Sequence, residues 1–192
     1  MSRRLPINVT LSVDGIAEAL RAIDDYKAWL ERKMNELRER VAEYIRTEAA
    51  DEFGFAVVDD TFAVQVTDSS GKSTFEADAP IIGGRVTVTV SAASDTVTLV
   101  VANGEDAVWM EFGAGVYYNG TAGSSPHPRA SVFGYTIGGY GSGKGKRNVW
   151  AFEGEDGAIH LTHGTPASMP MYKAMMKAWG DIHDIARAVF SS

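Results

Sequence analysis

The chain has 192 residues, of which 45% are hydrophobic, a formal net charge of −7 and no cysteine. This length supplies one sizeable core, so we predict a single domain over residues 1–192. The acidic balance argues against a protein that holds nucleic acid by neutralising phosphates, because such proteins present a basic face. The missing cysteine excludes disulfides, thiolate metal sites and a cysteine nucleophile.

Residues 1–11 carry Arg3 and Arg4 and then alternate polar and apolar residues up to Leu11. A secretory signal peptide has a continuous apolar segment in this place. The sequence also lacks a run of about 18 apolar residues, which a membrane-spanning helix requires. We therefore expect a protein that is cytosolic when made and that has no membrane partner.

A long helix is predicted from Val13 to Phe53, with Asp14 as its N-cap and Phe53-Gly54 as its end. Its apolar residues recur at alternating steps of four and three, which is a heptad-like stripe. Such a helix measures roughly 60 Å at about 1.5 Å per residue and overhangs a core of this size. Two interpretations stay open: the stripe covers a sheet of the same chain, or part of it packs on another subunit. The stripe consists of Ile16, Leu20, Ile23, Leu30, Met34, Leu37, Val41 and Tyr44, with Lys27 interrupting it.

Between residues 61 and 103 the apolar pattern changes to the two-residue period of β-strands. One strand is predicted over 61–67. The segments 85–91 and 96–102 are predicted to form a hairpin, because valines alternate with threonines and Asp95 supplies the turn. Two connections complete this region, a turn over 68–73 and a loop over 79–84.

The segment A-V-W-M-E-F-G-A-G, residues 107–115, joins a bulky apolar cluster to two closely spaced glycines. Over so few residues the pattern does not separate a short helix from an extra strand. We expect Val108, Trp109 and Phe112 to anchor the segment in the core. Glu111 has two interpretations, an exposed side chain on an amphipathic segment or one member of an ion pair across a subunit boundary.

A glycine-rich stretch covers residues 113–147. A loop of this length inside a compact domain is usually functional or disordered, and its aromatic residues argue against a plain linker. We therefore predict an assembly loop that docks on a neighbouring subunit. The aromatic candidates for this contact are Tyr117, Tyr118, Phe133, Tyr135 and Tyr140.

The last part of the chain, residues 148–192, is predicted to contain a hairpin and a C-terminal helix. The hairpin strands are 148–153 and 158–162, and Ser168 is the expected N-cap, with Pro170 in the first turn of the helix. The predicted fold class is therefore α+β, with a long N-terminal helix packed on a mainly antiparallel β-sheet, a long glycine-rich loop and a C-terminal helix. Methionine suits adaptable contacts as well as core filling, which makes two residues at this helix start further contact candidates, Met169 and Met171.

Patterns typical of catalytic or ligand-binding chemistry are incomplete in this sequence. Residues 138–144 match the first part of a phosphate-binding loop, but Gly145 and a strand pattern follow where a Ser or Thr and a helix are needed. His160 and His163 lie three apart on a predicted strand and so point to opposite faces, and His127 is expected to be structural or solvated. No serine stands in a nucleophile-elbow pattern. We therefore predict no catalytic residue, cofactor or metal.

The order of these elements resembles a family of neck and tail-completion proteins of long-tailed bacteriophages. The helix ending V-A-E-Y-I-R-T-E-A-A and the valine-rich hairpin are followed by A-V-W-M-E-F-G-A-G, which is similar to the family's hydrophobic-E-F/Y-G-T/A-G signature. The segment L-T-H-G-T-P-A-S-M-P-M-Y is similar to its closing motif T-x-G-x-P-A-x-P-F/M. The resemblance covers about residues 13–190. The chain departs from the family pattern over 53–62 and at Met171-Tyr172, where phenylalanine is usual.

This resemblance implies a structural subunit without enzymatic activity that belongs to a hexameric ring joining head to tail. Its partners would be further copies of itself, the phage connector or adaptor, and tail terminator or tube proteins. DNA would pass through the acidic ring without specific binding. The protein would reside in the virion neck or tail, and in the host cytoplasm during assembly. Two other classes stay open: a small soluble enzyme or ligand-binding domain with its site in the 113–145 loop, and a toxin-like or secretion-related structural protein.

Overall fold

Two long helices and several antiparallel β-sheets make up the fold, which confirms the predicted α+β class. The structure is a computed structural model that describes residues 12–114, 117–118, 121–122, 125–133 and 149–192. The helices are α1 (Val13–Phe55), α2 (Ala107–Phe112) and α3 (Pro170–Ser191), with a 3-10 helix at Ala130–Phe133. The strands are β1 (Val57–Asp59), β2 (Thr61–Thr67), β3 (Ser73–Ala77), β4 (Ile81–Ile82), β5 (Thr87–Ser94), β6 (Val97–Asn103), β7 (Tyr117–Tyr118), β8 (Thr121–Ala122), β9 (Trp150–Glu153) and β10 (Ile159–Thr162).

The long helix α1 begins at Val13 as predicted and ends at Phe55, slightly beyond the expected end. Its N-cap is Ser12, whose side-chain oxygen accepts a hydrogen bond from the N–H of Gly15 at 3.1 Å, so the prediction of Asp14 as the cap is wrong. Serine and aspartate are comparably good caps, which is why the pattern did not separate them. Within the described ranges, no helix combines the length and the apolar composition of a membrane span.

Helix α3 packs antiparallel along the C-terminal half of α1. At one end of this contact the Trp29 and Phe190 rings meet edge-on, with centroids 5.9 Å apart. Residues 13–28 therefore extend beyond the end of α3, by roughly 24 Å at about 1.5 Å per residue. Polar contacts mark the rest of the alignment: Tyr44 with Asp181 at 2.6 Å, Glu48 with Lys177 at 2.5 Å and Glu52 with Lys173 at 3.1 Å.

The β5–β6 hairpin, which the sequence pattern predicted, lies across the same half of α1 and closes the core. Val88 faces the helix and is buried, whereas Val90, nearer the hairpin turn, is 37% exposed. At the turn, the Arg38 guanidinium donates a hydrogen bond to the carbonyl oxygen of Asp95. The central cluster of buried residues consists of Ala49, Phe53, Ala56, Val88, Ala107, Met110 and Ala174.

A second sheet has the antiparallel order β3-β2-β10-β9 and joins the middle of the chain to its last third. Three of its strands were predicted, and β3 was not. All residues of β3 are exposed, so no alternation of apolar and polar residues marks it, and it forms because the edge of β2 is available for pairing. The predicted loop over 79–84 also contains β4, a two-residue strand that pairs with β1.

The short segment before the first glycine of the loop is a helix, α2, and not a strand. The expected anchors Val108 and Trp109 are 40% and 41% exposed, so that part of the prediction is wrong. Ala107 and Met110, one helical turn apart, are the buried apolar residues of this helix instead. Six residues make less than two turns, and such a helix presents only one narrow face to the core.

The α1–α3 contact predicts a loss of stability at alkaline pH. Hydrogen bonding to Asp181 raises the pKa of the Tyr44 hydroxyl, and hydrogen bonding to Glu48 raises the pKa of the Lys177 ammonium. Groups with a raised folded-state pKa contribute their full stability below the ordinary pKa and lose it as the pH rises through the folded value. We therefore expect the free energy of unfolding to fall above about pH 10, measured by urea unfolding followed by circular dichroism.

The control for this prediction is Tyr44→Phe, which keeps the ring and removes the titrating hydroxyl. The variant should lose less stability than the unaltered chain between about pH 9 and pH 11. The same pH dependence in both proteins would contradict a role for the Tyr44–Asp181 hydrogen bond.

Candidate functional site

Glu111 lies where α2, α3 and part of the glycine-rich stretch meet. Its side chain is buried, with 8% of the residue exposed. Glu111 belongs to α2, a helix of only six residues. One carboxylate oxygen accepts a hydrogen bond from the N–H of Met171 at 2.8 Å, and the other accepts one from the N–H of Tyr172 at 3.0 Å. Glu111 therefore caps the N-terminus of α3 from a position 60 residues earlier in the chain.

The backbone around the start of α3 explains why a cap is needed from elsewhere. The prediction of Ser168 as the N-cap of α3 is wrong. The N-cap is Met169, whose side chain makes no capping hydrogen bond. The N–H groups of Ser168 and Met169 both donate to the carbonyl oxygen of Met110, at 2.8 and 3.2 Å. The first free N–H groups of α3 are then directed at Glu111, where the positive end of the helix dipole favours a negative charge.

Met169 holds a backbone conformation that is unusual for its residue type. Its φ of 55° and ψ of 46° lie in the left-handed region, and among the described residues it is the sole non-glycine residue with a positive φ. The residue before a proline is also restricted, here by Pro170. Such conformations persist only where surrounding contacts hold them, and here the contacts are the two hydrogen bonds to Met110.

His127 brings the described part of the glycine-rich stretch to the same carboxylate. Its Nε2 lies 3.0 Å from Glu111 Oε1, and both side chains are buried. The backbone N–H of Arg129 donates to His127 Nδ1 at 3.1 Å, so Nδ1 is an acceptor and the proton of a neutral imidazole resides on Nε2. His127 therefore donates to Glu111, and the carboxylate accepts three hydrogen bonds.

Aromatic rings surround this polar centre and line a cavity of about 340 Å³. The Phe112 ring lies 4.5 Å from the His127 ring and 5.6 Å from the Phe133 ring, measured between centroids. The Arg129 guanidinium carbon lies 5.6 Å from the centroid of the Phe133 ring, a cation–π distance. The cavity is thus mostly apolar with one cation at its rim, which suits an apolar or aromatic group.

Three of the predicted contact residues meet at this site. Glu111 and Met171 are joined by the hydrogen bond described above, and Phe133 packs on Phe112 while remaining 55% exposed. The interpretation of Glu111 as an exposed side chain is wrong, because 8% of the residue is exposed and its carboxylate accepts hydrogen bonds within the chain. The ion pair across a subunit boundary stays a prediction. Met169 lies at the edge of the site, where its backbone N–H donates a hydrogen bond to the carbonyl oxygen of Met110.

The structure does not describe the side chains of the other predicted aromatic contacts. Tyr117 and Tyr118 form the short strand β7, paired with β8, and their side chains lie outside the described part of the structure. Tyr135 and Tyr140 lie outside the described residues altogether, as does the partial phosphate-loop pattern over 138–144.

Sequence reasoning missed His127, Arg129 and Tyr172 as members of the site. The Glu111–His127 contact joins residues 16 apart with no periodic pattern between them. One signal was present, since a helix that begins at Pro170 needs an acceptor for its first N–H groups. The Glu111 carboxylate, the acidic group of the motif over 107–115, was the candidate for this acceptor.

Two further histidines pair with single carboxylates. His160 Nε2 lies 3.1 Å from Asp156 Oδ1, and His163 Nδ1 lies 3.1 Å from Asp60 Oδ2. The backbone hydrogen bond from Ala158 and the contact with His160 lower the pKa of Asp156. No group of three or more potential metal ligands occurs in the described ranges.

Chemically, the site is a charge-assisted clasp that fixes three segments of the chain relative to one another. The Glu111 carboxylate of α2 accepts hydrogen bonds from the start of α3 and from His127 in the segment 125–133. Comparisons with protein-family models, with curated proteins and with solved structures find no match to this chain.

Proposed function

We propose that this chain is a structural subunit of a ring that joins head and tail in a long-tailed bacteriophage, at the neck or tail-completion position. The motifs around Glu111 and the start of α3 support this proposal by their resemblance to that family. The ring is built from copies of this chain and stacks between the connector or adaptor and the terminator or tube proteins. It acts in the virion and forms in the host cytoplasm.

The observation that carries the proposal is the exposed apolar stripe on the first half of α1. Ile16 is 47% exposed, Leu20 is 57% and Ile23 is 39%, and all three lie beyond the end of α3. Burying one such side chain contributes about 1.5–3 kcal/mol, so a helix that leaves this stripe in water gains from a partner surface. A second copy of the chain is the partner that a ring subunit always meets.

The net charge of −7 is consistent with a ring that lets DNA pass. Like charges repel phosphates, so an acidic lumen does not retain the duplex. The clasp around Glu111 supports the same proposal, because it holds the described part of the glycine-rich stretch against the body.

The sharpest test of self-association is Leu20→Lys. A lysine in the stripe prevents burial of this position, and we expect the dissociation constant of the assembly to rise about tenfold to a hundredfold. Glu18→Gln is the matched control, since it changes the net charge by the same amount on the opposite helix face. Analytical ultracentrifugation over a concentration series measures the dissociation constants of both variants. Equal association of the two variants would contradict the proposed role of the stripe.

The role at the neck is tested in the phage. Particles from a host that carries a disrupted copy of the gene should separate into full heads and finished tails, seen by negative-stain electron microscopy. Normal particles, or a defect in head filling or tail length instead, would contradict the proposal.

The cavity beside Phe133 and Arg129 favours a second candidate, a ligand-binding domain. Its lining is mostly apolar and contains one carboxylate, Glu111, which already accepts three hydrogen bonds within the chain. The Arg129 cation at the rim suits the carboxylate of a small aromatic acid. Measuring the melting temperature of the chain at increasing concentrations of such acids distinguishes this candidate from the ring. A saturable rise that Arg129→Ala abolishes would favour it.

A further inference from the structure

A groove of about 500 Å³ runs along the second half of α1, between α3 and the β5–β6 hairpin. Its floor continues the apolar stripe of α1, with Met34 52% exposed and with Val41 and Ile45 partly buried. Ile182 of α3 lines one wall, and Val100 of β6 lines the other. The groove is therefore an apolar surface with a wall on each side.

The exposed part of the stripe has the form of a segment that fits such a groove. Ile16, Leu20 and Ile23 are spaced by four and three residues, as in an amphipathic helix that docks its apolar side chains in an apolar groove. They span about 10 Å along the helix, and the groove floor from Met34 to Ile45 spans about 16 Å, at about 1.5 Å per residue. We propose that this exposed stripe of one copy lies in the groove of a neighbouring copy.

The geometry of α1 excludes docking of the stripe in the groove of the same chain. One continuous helix from Val13 to Phe55 contributes both the stripe and the groove floor. Ile23 and Met34 are about 16 Å apart along this helix, at about 1.5 Å per residue, and an unbroken helix does not fold back on itself. The stripe therefore reaches a groove only in another copy.

The charges of the two surfaces are opposite. Arg38 is the charged residue among those that line the groove, and its guanidinium donates a hydrogen bond to the carbonyl oxygen of Asp95. Its Nε is buried and has no hydrogen-bond partner in the described part of the chain. A cation in the groove attracts an acidic segment. The projecting half of α1, residues 13–28, has more acidic than basic residues: Asp14, Glu18, Asp24 and Asp25 against Arg21 and Lys27.

Each copy offers one stripe and one groove, which are different surfaces of the chain. A contact between unlike surfaces repeats from copy to copy, and it forms a ring where the rotation between copies closes. The docking rests on the self-association in the proposed function and names the two surfaces that meet.

Because the chain has no cysteine, single engineered cysteines report which surfaces meet. A Leu20→Cys chain is mixed with differently tagged chains that carry Met34→Cys, Thr98→Cys or Ile182→Cys in the groove, and the mixture is oxidised. We expect disulfides between unlike chains, strongest at one groove position and seen on a non-reducing gel, since a disulfide needs closely opposed residues. Glu18→Cys is the control, because Glu18 lies on the opposite face of the helix. Links that form only between two Leu20→Cys chains would overturn the docking, because they place stripe against stripe.

A second measurement places a charge on the groove floor with Met34→Asp. We expect self-association to weaken about tenfold or more, because an apolar side chain of the neighbour then meets a carboxylate. Met176→Asp is the matched control, since Met176 is also half-exposed on a helix and does not line the groove. Analytical ultracentrifugation gives the two dissociation constants, and equal values would overturn the docking.

The docking and the ring fail separately in these experiments. If Leu20→Lys breaks the assembly while Met34→Asp has no effect and no link reaches the groove, the docking is wrong and the ring stands. If the links form but the linked protein sediments as a closed pair of chains, the docking stands and the ring is wrong. A chain that neither associates nor cross-links would overturn both.

Discussion

Replacing Glu111 with glutamine is expected to lower the free energy of unfolding by about 2–4 kcal/mol. For a chain of this length, that corresponds to a fall in melting temperature of roughly 5–15 °C. The carboxylate accepts hydrogen bonds from Met171, Tyr172 and His127. A glutamine amide directs its NH₂ group at one of these donors and removes the charge from the N-terminus of α3. Chemical denaturation followed by circular dichroism measures the change.

The matched control is Glu105→Gln, the same chemical change on an exposed residue just before α2. We expect it to alter the free energy of unfolding by no more than about 0.5 kcal/mol. If Glu111→Gln unfolds like the unaltered chain and loses only its self-association, then the carboxylate acts at a subunit boundary and the clasp described above is not needed for folding.

Replacing Met110 with alanine is expected to destabilise the fold by about 2–5 kcal/mol. Met110 is fully buried and packs in the cluster that joins Phe53 of α1, Val88 of β5 and Ala174 of α3. Truncation removes buried apolar surface and leaves a cavity at the meeting point of helix, hairpin and closing helix. Urea unfolding measures the effect, and the oligomeric state measured in parallel shows whether assembly falls with stability.

Met176→Ala is the control for this substitution, because Met176 is 46% exposed on α3. Alanine is the better helix former, so the control should be close to neutral. If the two variants lost a similar free energy of unfolding, the burial of Met110 would not be the cause of its effect.

The periodic elements were predictable because their signals are local. The four–three spacing from Ile16 to Tyr44 marks one face of a helix, and the alternation around Val88 marks a strand with one buried face. These patterns were sufficient for the α+β class and for the hairpin. They failed for β3, whose residues are all exposed, and for the expected anchors Val108 and Trp109 in a helix too short to show a period.

By itself, the sequence determined the long helix, the β5–β6 hairpin and the closing helix, and it showed that the apolar stripe on α1 is too long to be covered by a core of this size. Only the tertiary structure decided which part of the stripe is covered by α3 and which part is exposed. Helix α3 ends near Trp29 and leaves Ile16, Leu20 and Ile23 exposed. It also decided the role of Glu111. Capping α3 depends on hydrogen bonds to residues 60 positions away, and the direction of a side chain across such a separation is set by packing and not by periodicity.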